Sequence, residues 1–182
     1  MLPFRPPRSL AANSDEPRTV AEVMDRVQID WAALEYAVAS LTSAQLVSPG
    51  PEGWSVKDHL MHIADWEKAV TAVLRHRPQH EGFALNEATF LGLADDVDGL
   101  NDILFRRSQA VSIEEVHGRR RRAHAEILAA LAMLTDADLN KSIANYGGNP
   151  TNERRLLDKI AGDTYAHYAE HTTWINELLS SL

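Results

Sequence analysis

The sequence predicts an all-α protein, and its helix pattern predicts a four-helix bundle. Apolar residues recur at alternating steps of three and four in four separate stretches, the spacing of one buried helix face. Three of these stretches open with serine or threonine followed three residues later by an acid, a pattern that caps a helix N-terminus. No stretch shows convincing strand character, so a sheet is not expected.

Helices 1 and 2 are each predicted from a cap followed by an apolar stripe. Helix 1 begins at Thr19 and helix 2 at Ser55. Helix 2 ends near Arg75, because the residue before Pro78 avoids helical geometry. The core-facing positions are Val20, Val23, Val27, Trp31, Leu34, Val38 and Leu41 in helix 1, and Val56, Leu60, Ile63, Trp66, Val70, Val73 and Leu74 in helix 2.

A long helix 2 to helix 3 connection, residues 78–111, separates the two halves of the chain. Links between bundle helices usually have about 2–8 residues, so this segment is expected to cross the bundle or to cover one end of it. Short helical pieces are expected around residues 85–90 and 99–108. Helix 3 begins at Ser112, and helix 4 runs from about residue 151 to residue 179.

Length and composition favour one domain without a membrane span. Residues 1–18 are rich in proline and small polar residues and are expected to form a flexible arm, and residues 19–182 the bundle domain. No apolar run approaches the roughly 18 residues of a membrane helix, and the N-terminus lacks the apolar core of a signal peptide. A cytoplasmic protein with no membrane partner is therefore expected.

Charge and cysteine content restrict the expected partners further. The formal net charge is -8, and because phosphate neutralisation needs a basic surface, no nucleic-acid partner is expected. The chain has no cysteine, which excludes disulfides, thiolate metal ligands and a cysteine nucleophile. Any thiol used in a reaction must therefore be supplied from outside the protein, and a small-molecule substrate is the expected partner.

A histidine pair in helix 4 is the main candidate for chemistry. His167 and His171 are four residues apart, so both imidazoles project from one helix face and can bind one metal ion from one side. The alternative is that each histidine only makes structural hydrogen bonds, which is common for isolated pairs. A facing third histidine would favour metal, and either His59 or His62 of helix 2 can supply it.

Three segments carry a family resemblance. GWSVKDHLMHIADWE at residues 53–67 resembles the second-helix signature of the DinB-like superfamily of four-helix bundles. LNDILFRR at 100–107 with SIEE at 112–115 resembles the middle segment of its ClbS/DfsB group, and DTYAHYAEH at 163–171 resembles that group's last helix. The resemblance covers the chain from about residue 19 to its end, and the three motifs stand in the family's order.

The resemblance implies a metal site and two kinds of activity. It implies that His62, His167 and His171 are the ligands of a divalent metal, zinc or nickel, with His59 as a neighbour. The superfamily includes metal-dependent thiol transferases, an isomerase that depends on a low-molecular-weight thiol, and ClbS-like members linked to protection by hydrolysis. The implied function is thus thiol or water activation on a small electrophile, with a low-molecular-weight thiol as a candidate cofactor.

A non-enzymatic alternative and a partner remain as expectations. The chain could instead be a bundle that binds or sequesters a small molecule without metal catalysis. Bundles of this family often pair, so a homodimer is an expected assembly.

Four acids are candidates to accept a hydrogen bond from a ligating histidine: Asp65, Glu67, Asp163 and Glu170. The run of arginines at 119–122 is interpreted as a solvated helix face.

Overall fold

A computed structural model describes residues 16–93, 96–146 and 153–180 of the chain. Within these ranges the chain is helical, and its β-type pairing is limited to one isolated bridge. The prediction of an all-α bundle is confirmed. The helices in chain order are α1 (Val20–Val38), α2 (Ser43–Val47), α3 (Val56–Leu74), α4 (Gln79–Gly82), α5 (Glu87–Leu91), α6 (Val97–Ser108), α7 (Ile113–Leu131), α8 (Leu156–Asp163) and α9 (Tyr165–Ser180), with short 3₁₀ helices at Asp136–Asn140 and Ile143–Tyr146.

The long helices begin where their caps predict. The hydroxyl of Thr19 accepts a hydrogen bond from the backbone N–H of Glu22 at 3.2 Å, and the Glu22 side chain accepts one from the Thr19 N–H in return. Ser55 and Asp58 form the same reciprocal pair at the start of α3, and the Ser112 hydroxyl accepts a hydrogen bond from the backbone N–H of Glu115 at the start of α7. These bonds satisfy N–H groups that have no partner inside a helix. Helices 1, 2 and 3 of the sequence are therefore α1, α3 and α7.

Helix α3 is the central element of the fold. Every residue in it except Lys57 and Lys68 is buried, including six with polar or charged side chains. Helix α7 packs along it most extensively, and α4, α6, α8 and α9 cover its remaining sides. A helix enclosed on all sides places any functional group it carries inside the bundle. The side chains at 59 and 62 are therefore held away from bulk water.

The long connection covers one side of α3. It contains α5 and α6, close to the two predicted helical pieces, and also α4, which was not predicted. Trp66 and Ala69 of α3 pack with Phe83, Leu100 and Leu104 in a second, smaller hydrophobic cluster. Gly82 lets the backbone of α4 come close to that of α3, because a Cβ built on this residue would lie 2.4 Å from the backbone oxygen of Lys68.

The fourth helix of the bundle is two helices with a break at Thr164. The backbone there has φ -131° and ψ -109°, which is not helical, so α8 ends at Asp163 and α9 begins at Tyr165. The Thr164 hydroxyl donates to the carbonyl of Ile160 at 2.6 Å, a side-chain bond that often bends helices. A continuous helix from residue 151 was predicted, and residues 147–152 lie outside the described ranges.

Residues 16–18 touch the bundle. Pro17 is buried, and the Glu16 carboxylate lies 2.5 Å from the guanidinium of Arg155. The predicted arm otherwise falls on residues 1–15, outside the described ranges. Of the helices described, none combines the length and the apolar character needed to cross a membrane.

Candidate metal centre

Three buried histidines from two helices meet inside the bundle. His62 lies on α3, and His167 and His171 lie one turn apart on α9. The Nε2 atom of His167 is 3.1 Å from Nε2 of His62 and 3.0 Å from Nε2 of His171. Each ring offers one nitrogen such that all three lie within 4.8 Å of one another. We refer to His62, His167 and His171 as the histidine triad.

The geometry of the triad suits a metal ion. Two nitrogen ligands on a tetrahedral ion, with bonds of about 2.0 Å, lie about 3.3 Å apart, close to both Nε2–Nε2 distances given above. A neutral imidazole has only one N–H group. Hydrogen bonds among the three rings therefore cannot give every facing nitrogen a partner. A cation between the Nε2 atoms would use every facing lone pair. The residues present therefore fit a divalent metal.

The electrostatics of the triad favour neutral rings. Burial lowers the pKa of His167 to about 3, and the charge of Lys159 acts in the same direction. Burial also lowers the pKa of His62 and of His171 well below the ordinary value, and neighbouring histidines add to the effect. The neutral imidazole is the form that binds metals, because only it keeps a free lone pair.

His59 lies behind the triad rather than in it. Its Nδ1 atom is 2.8 Å from Nδ1 of His171, on the side of that ring opposite Nε2. Burial lowers the pKa of His59 to about 4, so its ring is neutral near pH 7. If His171 uses Nε2 as a ligand, its Nδ1 carries the hydrogen and can donate it to His59, which then orients the ligand. The structure thus places His62, not His59, opposite the helix 4 pair.

Three of the four acids expected to support the ligands bond elsewhere. Asp65 pairs with Arg107 at 3.2 Å, and Asp163 pairs with Lys159 at 2.6 Å. Glu67 accepts hydrogen bonds from the Tyr168 hydroxyl and from His124. The Nδ1 atoms of His62 and His167 are buried and have no hydrogen-bond partner among the described residues. The sequence analysis expected carboxylates to accept the second hydrogen of the ligating rings. Of the three triad histidines, only His171 has a hydrogen-bond partner at its Nδ1 atom within the described ranges, and that partner is the imidazole of His59.

Three tryptophans surround the triad. The ring centroid of Trp54 is 5.3 Å from that of His62, and Trp174 is 4.8 Å from His171. Trp66 is 6.2 Å from His167. Of the three, Trp66 was expected at a core-facing position, and Trp174 was missed, although its place one turn after His171 is the signal that could have found it.

Two cavities lie beside the buried histidines. One of about 210 Å³ reaches His167 and is also lined by Trp66 and Lys159. The other, of about 200 Å³, reaches His59 and lies between Trp54 and Trp174. Reactants thus have two routes toward the same group of histidines. Lys159 was not singled out in the sequence, where it reads as an ordinary helix lysine.

Comparison with known proteins identifies the family. The model of the DinB superfamily matches residues 26–173, most of the chain. The chain belongs to the DinB superfamily. The predicted resemblance is thereby confirmed at the level of the superfamily. No curated protein matches the sequence.

Two solved structures share the fold of this DinB-superfamily chain. The colibactin self-resistance protein ClbS, solved in complex with a dsDNA, has a TM-score of 0.71 and 16% identity, covering 91% of this chain and 98% of ClbS. An uncharacterised protein from Escherichia coli UTI89 has a TM-score of 0.66 and 16% identity, covering 90% of this chain and 94% of that protein. At this identity the likeness to both structures shows a shared fold.

The partner prediction is wrong. It combined a small-molecule substrate with the exclusion of nucleic acid, yet a protein of this same fold, ClbS, was solved in complex with dsDNA. The net charge of -8 describes the chain as a whole and not each surface. Burial raises the pKa of Asp65, and the charges of Arg107, Lys68 and Arg119 oppose that shift, so three cations gather near one acid. Total charge therefore does not exclude a locally positive surface.

Proposed function

We propose that this DinB-superfamily protein binds one divalent metal ion, zinc or nickel, through His62, His167 and His171. The ion would act as a Lewis acid and lower the pKa of a water or of an external thiol at its open position, for attack on an electrophilic substrate. The bundle domain proposed for this activity is residues 19–182. Imidazole ligands suit both ions, so the ligand set alone does not choose between them.

The convergence of three buried Nε2 atoms is the observation that carries this proposal. Three protein ligands leave a fourth position open, which is typical of catalytic and not of structural zinc sites. The burial that keeps the rings neutral also prepares them for metal without the loss of a proton. Because the chain lacks cysteine, a reacting thiol must come from solution.

The surrounding residues would prepare the site for chemistry. His59 would fix the orientation of His171 through the Nδ1–Nδ1 contact of 2.8 Å. Trp54, Trp66 and Trp174 would exclude bulk water, which strengthens electrostatic interactions inside the site. The two cavities would admit reactants beside the histidines.

Metal content tests the proposal directly. We expect tag-free protein to contain about one zinc or nickel ion per chain by elemental analysis, and a His62→Ala variant to lose it, because two histidines hold such ions far more weakly than three. His80→Ala is the matched control, since His80 lies outside the triad in α4. Circular dichroism verifies that each variant is folded.

Two results would count against the proposal. One is stoichiometric metal in folded His62→Ala protein, and the other is no metal in the wild type after incubation with zinc or nickel. Turnover of an electrophile by metal-loaded protein, with water or an added thiol, then separates an enzyme from a metal-binding protein without activity. A loss of turnover in His62→Ala that His80→Ala does not share would assign the reaction to the triad.

DNA contact is a second candidate function. The observation that favours it is the shared fold with ClbS, which was solved in complex with dsDNA. The cations Lys68, Arg107 and Arg119, from α3, α6 and α7, are the candidates for phosphate contacts, and Arg107 also pairs with Asp65 and Arg119 with Glu115. Fluorescence anisotropy with a labelled duplex tests this candidate independently of metal.

A further inference from the structure

The cavity that reaches His167 has two unlike walls. It has a volume of about 210 Å³ and lies between α3, the long connection and α8. One wall is apolar and is formed by Trp66, Phe90, Leu93, Val97 and Leu100. The other carries the charged side chains of Lys159, Asp163 and Arg154. A ligand that fits must therefore present an apolar body and a charged group together.

Lys159 is a buried cation at the charged wall. Its side chain is only 7% exposed, and its ammonium lies 2.6 Å from the Asp163 carboxylate. The same ammonium is 5.3 Å from the ring centroid of Trp66, whose ring is 6.2 Å from that of His167. An ammonium has three N–H donors, and the contact with Asp163 occupies one side of it. Further donors are available to a group in the cavity.

The charge of the cavity is opposite to that of the protein. Among the described charged residues that line it, Lys159 and Arg154 are cations and Asp163 is the one acid, so the cavity is net positive by one charge. The chain as a whole has a net charge of -8. A buried ion pair rarely improves stability over apolar residues of similar size, so folding alone does not explain this wall.

We propose that this cavity binds a compact carboxylate carried on an apolar body, with Lys159 as its cationic anchor. A carboxylate has a single negative charge, which matches the net charge of the lining, whereas phosphate has close to two. The carboxylate contacts the Lys159 ammonium, and the apolar body lies on the wall of Trp66 and Phe90. This places the ligand next to His167 without requiring a metal for its binding.

Titration with benzoate tests the proposal, because benzoate joins a carboxylate to a flat apolar ring. Isothermal titration calorimetry should show benzoate binding to the wild type, and binding at least about tenfold weaker in Lys159→Met, since a charged hydrogen bond is lost. Lys141→Met is the matched control, because Lys141 lies outside the cavity lining and its side chain is 53% exposed. Equal affinity in the wild type and Lys159→Met would overturn the proposal, as would tighter binding of inorganic phosphate than of benzoate.

A second variant protects the test against misfolding. Lys159→Met leaves a buried Asp163 without its cation, and this can unfold the protein. Asp163→Asn keeps the anchor and removes the competing acid, so benzoate should bind several-fold more tightly than to the wild type. Unchanged or weaker binding to folded Asp163→Asn protein contradicts the proposal.

The metal variant separates this proposal from the metal site. His62→Ala should retain benzoate binding, because the carboxylate contacts Lys159 and not the triad. Loss of benzoate binding in His62→Ala, with binding kept in Lys159→Met, would mean that the carboxylate binds the metal and would overturn the role of Lys159. A wild type without metal that still binds benzoate through Lys159 would leave this inference standing while the metal proposal fails.

Discussion

Glu67 is a buried acid in the middle of a polar network. It is 0% exposed on α3, and one of its oxygens accepts hydrogen bonds from the Tyr168 hydroxyl and from His124. The other oxygen is buried and has no hydrogen-bond partner in the described part of the chain. Burial raises the pKa of Glu67, and the bonds from His124 and Tyr168 only partly oppose this. The charged form is therefore disfavoured in the folded protein.

Replacement of Glu67 should change how stability depends on pH. Between the unfolded-chain pKa of 4.5 and the raised folded pKa, the folded state holds a proton that the unfolded chain has released. The free energy of unfolding therefore decreases as the pH rises through this window. Glu67→Gln lacks the titrating group, so its stability relative to the wild type should improve as the pH rises from the unfolded pKa of 4.5 through the raised folded pKa, as measured by urea denaturation at each pH. A difference between the two proteins that is constant with pH, or that moves in the opposite direction, contradicts this account.

Residue spacing predicted that two of the three triad histidines lie together, and the choice of the third needed tertiary structure. The i, i+4 spacing places His167 and His171 on one face whatever surrounds them. His59 and His62 share a face of α3, and only the packing of α3 against α9 decides which of them meets the pair at Nε2. The family resemblance named His62, whose Nε2 is the one that lies against His167, and the assignment of these histidines as metal ligands stays a prediction.

Arg120 shows where the interpretation by composition was wrong. The run of four arginines was interpreted as a solvated face, yet Arg120 is 2% exposed, pairs with Glu35 and lies 5.0 Å over the ring of Trp31. Four consecutive residues cover every side of a helix, so one of them must face the bundle. The sequence did not indicate which one, because the partner acid lies on another helix.

At the scale of elements, the close contact between α3 and α4 should be sensitive to one methyl group. A Cβ on Gly82 would meet backbone atoms of α3, with Ala69 Cα only 2.5 Å away, and backbone cannot move aside as a flexible side chain does. Gly82→Ala should therefore destabilise the protein by about 1–3 kcal/mol or more, which lowers Tm by roughly 2–4 °C per kcal/mol. Thermal unfolding followed by circular dichroism measures this effect.

Gly92→Ala is the matched control for this contact. A Cβ on Gly92 would have its nearest neighbour at 3.4 Å, an ordinary contact, and its φ is negative. Its Tm should stay close to that of the wild type. A similar loss in both variants would show that glycine itself, and not the approach of α4 to α3, determines stability in this segment.

The elements themselves were largely predictable because caps and apolar stripes are local signals. Thr19, Ser55 and Ser112 marked three helix starts correctly. The break at Thr164 was not predictable, since the apolar stripe continues through it from Ile160 to Tyr168. A threonine hydroxyl that bonds to the preceding turn is compatible with either a continuous or a broken helix. The short helix α4 has no side-chain cap and so gives no such local signal, whereas α2 begins with a capping box of Thr42 and Gln45 that was overlooked in the sequence.

At the scale of the whole molecule, charge is unevenly distributed. The chain has 26 acids and 18 lysines and arginines, yet Lys68, Arg107 and Arg119 surround Asp65 closely enough to act on its pKa. Three cations, two of which pair with Asp65 and Glu115, can contact only a few phosphates, and the net charge of -8 repels DNA. Any binding to duplex DNA should therefore be weak and should fall steeply with salt.

Anisotropy of a labelled duplex at low and at physiological salt checks this expectation. We expect measurable binding near about 20 mM salt that weakens strongly near about 200 mM. The slope of the logarithm of the binding constant against the logarithm of the salt concentration should decrease in magnitude by about 1 for each phosphate contact removed. Lys68→Glu should weaken binding and reduce the slope. Lys141→Glu changes the net charge by the same amount but lies apart from the cations around Asp65, so it separates the effect of position from that of total charge. Equal losses in the two variants would assign the binding to net charge alone, and no anisotropy change at low salt would reject DNA as a partner.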